Sequence, residues 1–243
     1  MNTVAIIQAR MGSTRLPGKV LLDLGGATVL ARVVRRLERS QQVAKVVVAT
    51  TTLPADDEIV TECERLQVPS FRGSEGDVLD RYYQAARLYS TDAVVRITSD
   101  CPVIDPTLVD QTIRVFKDKR ADYASNVLPR IYPRGLDTEV FTFAALERAW
   151  REAREPHDRE HVTPYLYEHP EAFRLASVSG DVNYSQYRWT VDTPGDLSLL
   201  RALYSRFNNR DDFHWQDVIA LMEREPELAD LNSHVLQKSL RED

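Results

Sequence analysis

The stretch Thr3-Val4-Ala5-Ile6-Ile7-Gln8-Ala9-Arg10-Met11-Gly12-Ser13-Thr14-Arg15-Leu16-Pro17-Gly18-Lys19 decides how this chain is read. Residues 4–9 form the near-continuous apolar run expected of a buried parallel strand, which is covered on both faces. The run stops at Arg10, and residues 10–19 then hold two glycines, two hydroxyl side chains, two arginines and a lysine. Glycines let backbone N–H groups approach an anion closely, and cations neutralise it, so the loop reads as a phosphate cradle. The plainer alternative is a surface loop rich in turn residues. Two common phosphate loops are excluded: Gly18-Lys19 is followed by Val20 rather than Ser or Thr, and no Gly-x-Gly-x-x-Gly occurs.

Outward from this stretch, strands and helices alternate. A helix follows the Gly25-Gly26 turn with Val29, Leu30, Val33, Val34 and Leu37 on one face. Residues 46–50 read as a second strand. Residues 55–66 read as a helix entered through Pro54 and the acidic first turn of Asp56, Asp57 and Glu58. Further elements are a helix over 78–89, a strand over 93–98 that stops at Ser99-Asp100-Cys101-Pro102, and a helix over 106–116. The pattern implies an α/β fold with a mostly parallel sheet between two helical layers. Beyond residue 120 it loosens: strand candidates at 138–143, 173–178 and 187–191 alternate with helices over 144–153 and 194–207. These extend the sheet and wall one side of a cleft. One domain is expected over 1–243, with a core over about 1–210 and a C-terminal helix and tail over about 211–243.

The 243 residues are 43 % apolar and 28 % charged, with ordinary numbers of glycine and proline, which excludes bulk disorder and collagen-like repeats. Two cysteines, Cys63 and Cys101, are too few for a disulfide scaffold and favour a reduced, cytoplasmic setting. No apolar run approaches the roughly 18 residues of a membrane span, and no basic region precedes the first strand as in a signal peptide. Net charge is −6, yet residues 1–40 hold seven basic and two acidic side chains, so the remainder carries −11. An acidic body is a poor binder of duplex nucleic acid, whereas a local positive start suits a small polyanion. Arg32, Arg35, Arg36 and Arg39 fall away from the apolar stripe of their helix and read as a solvated face. That leaves Arg10, Arg15 and Lys19 as candidate anion contacts.

Ligands of open parallel sheets collect at the carboxyl ends of strands. Asp100 stands at one such end, where a carboxylate either holds magnesium on a nucleotide or forms a turn before Pro102. Asp192 stands in Trp189-Thr190-Val191-Asp192-Thr193-Pro194-Gly195-Asp196. It is either a second metal ligand or, with Thr193, a cap for the helix that Pro194 opens. His157-Asp158-Arg159-Glu160-His161 fits an inverted zinc-protease pattern, but Pro156 and Pro164 leave only about two helical turns for it. Neither cysteine has a recognisable partner base.

Residues 7–19, with Arg96-Ile97-Thr98-Ser99-Asp100-Cys101-Pro102 and Val191-Asp192-Thr193-Pro194-Gly195-Asp196-Leu197, resemble the cytidylyltransferase family. The branch most similar is the spore-coat polysaccharide type, related to CMP-sialate and CMP-ketodeoxyoctulosonate synthetases. The resemblance covers nearly the whole chain. It implies a Rossmann-like nucleotidyltransferase fold, CTP and Mg²⁺, a homodimer, and a sugar acid or sugar phosphate as the acceptor. It implies nucleotide contacts at Gln8, Ala9, Arg10, Gly12, Ser13, Arg15, Lys19, Thr50, Arg72, Arg81 and Asp100. It also implies acceptor contacts at Asp80, Glu139, Arg159, Glu160 and His161, and metal ligands at Asp100 and Asp192. Arg15, Lys19 and Asp100 are the expected catalytic residues, and no general base is assigned. Gly195 departs from the family, which usually has Glu there, and the sugar-binding signatures of the eight- and nine-carbon-acid synthetases are missing. Two other classes would share such a sheet. A glycosyltransferase more often shows Asp-x-Asp, which does not occur here. A non-catalytic nucleotide-binding module would have lost the cationic loop or a carboxylate, and neither is lost.

Overall fold

The computed structural model describes residues 1–237, so the end of the expected tail, 238–243, lies outside the described residues. Seven strands form one sheet in the order β3-β2-β1-β4-β6-β5-β7. They are β1 (Thr3–Gln8), β2 (Lys45–Thr51), β3 (Ser70–Gly73), β4 (Ala93–Thr98), β5 (Tyr123–Ser125), β6 (Glu139–Thr142) and β7 (Leu175–Ser177). β1 pairs in parallel with both β2 and β4, while β6 is antiparallel to β4 and to β5. The sheet is therefore mixed and mostly parallel. Strand order reverses at β1, where β2 lies to one side and β4 to the other, and the carboxyl ends of β1 and β4 open a crevice there.

The period-2 geometry of strands divides the core. Ala5 and Ile7 of β1 face α1 (Val29–Leu37), α2 (Asp57–Leu66) and α4 (Pro106–Asp118). Val4 and Ile6 face α3 (Val78–Leu88) and α5 (Phe143–Glu152). All four of these side chains are fully buried, and Val4, Ile6 and Ile7 each contribute about 2 kcal/mol of apolar burial. A third cluster, around Trp189, Leu136, Leu200 and Met222, joins α8 (Pro194–Arg206) and α9 (Trp215–Arg224) to the end of the crevice. Between α5 and β7 lie the short α6 (Pro156–His161) and α7 (Pro164–Tyr167). No described helix is long and apolar enough to cross a membrane.

Two expectations need correction. Residues 187–191 are not a strand. Arg188 makes only a single bridge, with Arg134, because Thr190 and Val191 donate instead to the Asp100 carbonyl. The arginines of α1 are not a uniformly solvated face. Arg32 is 2 % exposed and Arg36 is 0 % exposed. Arg32 donates to the carbonyls of Leu24, Gly25 and Asn209, and Arg36 to those of Ile104, Asp211 and Phe213. A planar guanidinium on a long apolar stem can be buried when carbonyls satisfy its N–H groups, joined for Arg32 by the Asp211 carboxylate at 3.0 Å. The hydrophobic pattern of α1 could not reveal those carbonyls, because most of them belong to distant residues.

Candidate active site

β1 delivers the loop of residues 10–18 to the crevice, and the loop is tied at both ends. The Met11 amide donates to Asp56 Oδ1 at 2.7 Å, and Asp56 also accepts from Thr51 at the end of β2. The amides of Ser13 and Gly18 both donate to the Met11 carbonyl, closing the loop on itself. Gly18 sits at φ 67°, in the left-handed region that favours glycine, and turns the chain into the 3-10 segment Lys19–Leu21. Val20 is buried there. With Val20 packed below, Lys19 extends into the cleft.

Its ammonium nitrogen lies 2.6 Å from Asp100 Oδ2 and 2.7 Å from Asp192 Oδ1. Arg15 Nη2 reaches the same oxygen of Asp192 at 3.1 Å. Residues far apart in the chain thus meet at one cation. Asp100 arrives through β4, whose next residue Ser99 donates its amide to the Gln8 carbonyl. Asp192 arrives because the Val191 amide and the Thr190 hydroxyl both donate to the Asp100 carbonyl, at 2.8 and 3.1 Å. The open question of which residue caps α8 resolves in the same place. Thr193 is the N-cap and forms a reciprocal capping box with Asp196, so the Asp192 carboxylate remains available to the cleft.

Burial of Lys19 by itself disfavours its charge, but Asp100 and Asp192 outweigh that and raise its pKa. Burial likewise works against the Asp100 carboxylate, yet the Lys19 charge and hydrogen bond hold it well below the usual carboxylate range. The cleft is therefore occupied by ionised groups at neutral pH. Its volume is about 250 Å³, and Gln8, Arg10, Gly12, Ser13, Arg15, Lys19, Asp100 and Asp192 all line it. Arg10 is exposed at its rim. Ala9 lies buried beneath the loop, its amide bonded to the Ala49 carbonyl. A wider depression of about 610 Å³ lies beside β7 around Phe173 and Leu175, where the Arg174–Asp122 ion pair is at its wall.

Other expected site residues do not line this cleft. Thr50 is fully buried in β2. Arg72 is bound to Asp57 and to the carbonyls of Thr51 and Leu53, which secures β3 to the loop after β2. Arg81 is 0 % exposed, with Nη1 on the Ser74 carbonyl and its charge disfavoured by burial. Asp80 accepts from the Trp150 indole and Gln84, and with Arg159 it lines a separate open groove beside α5. Arg159 pairs with Asp77. Glu160 is exposed and His161 half-buried on the six-residue α6. Glu139 is taken up inside the sheet, by Arg96 and by the Tyr123 hydroxyl at 2.7 Å. The structure also places residues in the site that sequence reasoning passed over. Thr14, Thr98 and Ser99 line the cleft, and Arg188 holds Asp192 from behind. A basic residue four positions before a candidate ligand was the available signal for Arg188.

A sheet whose strand order switches beside a glycine-bearing cationic loop, with two carboxylates opposite, is the architecture of Rossmann-like nucleotidyltransferases. The chain belongs to the cytidylyltransferase family, whose pattern residues 4–217 match. It is 41 % identical over 248 residues to the uncharacterized protein MJ1063 of Methanocaldococcus jannaschii, covering 100 % of this chain and 99 % of that one. It is 36 % identical to the spore coat polysaccharide biosynthesis protein SpsF of Bacillus subtilis, over 94 % of this chain and 98 % of SpsF. A solved structure of a cytidylyltransferase from Leptospira borgpetersenii superposes with a TM-score of 0.91 at 35 % identity, covering 98 % of this chain and 100 % of that one.

Proposed function

We propose that this protein transfers a cytidylyl group from CTP to a hydroxyl of an acidic or phosphorylated sugar, forming a CMP-sugar for glycan or surface-polysaccharide assembly. The acceptor oxygen forms a bond to the α-phosphorus, the bond from that phosphorus to the bridging oxygen breaks, and pyrophosphate leaves. The observation that carries this reading is the Lys19 ammonium, with Asp100 on one side, Asp192 on the other and the glycine-bearing loop around it. Family membership supplies the nucleotide, and the polysaccharide role named for SpsF supports the acceptor class.

In this reading Arg10, Ser13 and the loop amides cradle the triphosphate, while Arg15 and Lys19 stabilise charge on the departing pyrophosphate. Two carboxylate oxygens already converge on one cation, and hard oxygen donors of this kind suit Mg²⁺ bound to a nucleotide. Asp100 and Asp192 would hold it, where a bound Mg²⁺ offsets phosphate charge. Positioning and charge stabilisation carry the rate, and the chain supplies no assigned base.

The test is a pyrophosphate-release screen of sugar acids and sugar phosphates against each nucleoside triphosphate. Release with CTP and an acidic or phosphorylated sugar is expected, and Asp100→Ala should abolish it while preserving the circular dichroism spectrum. Turnover in Asp100→Ala equal to the parent would remove Asp100 from the site. Release with another triphosphate and none with CTP would overturn the nucleotide assignment. The proposal includes a homodimer, for which light scattering should give twice the chain mass of 27.8 kDa.

A further inference from the structure

The two oxygens of Asp192 have different neighbours. Oδ1 faces the cleft and takes Lys19 and Arg15, whereas Oδ2 faces away and accepts from Arg188 Nη2. Arg188 is 8 % exposed and does not line the cleft, so the contact it makes with the site is the one to Asp192. Its other nitrogens are committed as well. Nε donates to Asp196 Oδ1 at 2.9 Å and Nη1 to Gln237 Oε1 at 2.5 Å. Asp196 is fully buried, and its second oxygen accepts the amides of Asp192 and Thr193 at 3.0 and 2.9 Å. One buried Arg188–Asp196 pair therefore sets both the backbone and the side chain of Asp192.

The C-terminal segment closes this arrangement. After α9 the chain forms the 3-10 segment Pro226–Leu231 and returns over the first turn of α8. Asn232 Nδ2 donates to the Arg188 carbonyl and to Asp196 Oδ1, both at 2.9 Å. A Cβ on residue 195 would stand 2.8 Å from the Leu231 carbonyl oxygen, so only glycine lets the segment lie this close. The departure at Gly195 thus has a physical counterpart. It is where the C-terminal segment seats.

We propose that Arg188 is a positioning residue for Asp192, and that residues 231–237 act as a strap that holds Arg188 in place. The inference rests on the reading of Asp192 as a ligand of the Mg–CTP complex. Without Arg188 the carboxylate is free to rotate and to give both oxygens to Lys19 and Arg15, which withdraws it from a metal. Groups that orient metal ligands typically influence metal affinity by about 10-fold or more.

The experiment uses the full chain and calorimetry, comparing the CTP dissociation constant in Mg²⁺ with that in EDTA. In Arg188→Met, the gain in CTP affinity that Mg²⁺ confers should shrink about 10-fold. Arg188→Lys should recover part of it, and CTP affinity in EDTA should stay within about twofold, because the cleft-facing cations remain. Asn232→Ala and Gly195→Ala loosen the strap while keeping every charged residue in place, and should reduce the metal-dependent gain by about two- to fivefold. These two variants also serve if Arg188→Met fails to fold. A purely structural role would lower the melting temperature and leave the ratio of the two constants unchanged. An unchanged ratio in folded Arg188→Met, or in both strap variants, overturns the inference while leaving the proposed function intact. A parent protein that gains no CTP affinity from Mg²⁺ overturns both.

Discussion

The first forty residues contain two sets of cations that look equivalent by charge, and the fold gives them opposite uses. Lys19 and Arg15 end on carboxylate oxygens at an open cleft. Arg32 and Arg36 end mainly on backbone carbonyls, and their guanidinium groups lie over the rings of Tyr204 and Phe213 at 4.5 and 4.3 Å. A carbonyl held in a fold is a fixed neutral acceptor, and withdrawing its donor leaves a buried polar group unpaired. A carboxylate beside a cleft can exchange one cationic partner for another. The difference teaches that charge density locates a cationic region, while the partner atoms decide which cations are available to a ligand.

The comparison can be broken most directly at Lys19. Lys19→Met should lower the rate of CTP-dependent pyrophosphate release by about 100-fold or more, the usual effect of removing one preorganised donor at developing charge. Its loss of stability in urea should be smaller than that of Arg36→Met, because Arg15 and Arg188 still neutralise Asp192. Arg36→Met should do the reverse. It leaves the carbonyls of Ile104, Asp211 and Phe213 without their donor, and urea unfolding should show a loss of about 3 kcal/mol or more. If Arg36→Met instead removed nucleotide binding while remaining as stable as the parent, the distinction between the two sets would collapse.

Acid titration sharpens the same contrast. Asp100 ionises more readily in the folded chain than in the unfolded one, because Lys19 outweighs the effect of burial. The unfolded chain then binds more protons in acid, so this contribution to stability rises with pH. It should be complete above the ordinary carboxylate value of about 3.9 and be lost as the pH falls through the lower folded value. Melting temperatures measured across that range should fall less steeply in Asp100→Asn than in the parent. A parallel fall in both would mean that the Lys19–Asp100 pair contributes no acid sensitivity. The smallest effect belongs to Arg35, whose side chain is 42 % exposed and 3.9 Å from Asp211. Arg35→Ala should alter stability by no more than about 0.5 kcal/mol and leave turnover unchanged, as expected of a solvated ion pair.

How far each part was legible follows from the range of the interactions. β1, β2 and β4 announced themselves through apolar runs, since burial on both faces demands them. β3 and β5 are short, and neither was anticipated; partly polar sequences such as Ser70-Phe71-Arg72-Gly73 become strands by pairing with neighbours already in place. Residues 187–191 have strand-like composition but lack a second strand to pair with. At the site, the loop and both aspartates were visible as residue types at strand ends. Their meeting was not, because it depends on hydrogen bonds from Thr190 and Val191 to the Asp100 carbonyl. Arg72 and Glu139 illustrate the converse. Both were expected to serve ligands, and both hold the sheet together.

Taken alone, the order of amino acids determined the alternation of strands and helices, the family to which the chain belongs, and the cationic loop, since each depends on residues near one another in the chain. Only the tertiary structure decided that Asp100 and Asp192 share the Lys19 ammonium, and that Arg32 and Arg36 are interior. Those outcomes turn on which acceptors distant segments bring within about 3 Å, the length of a hydrogen bond, and no local pattern encodes that distance.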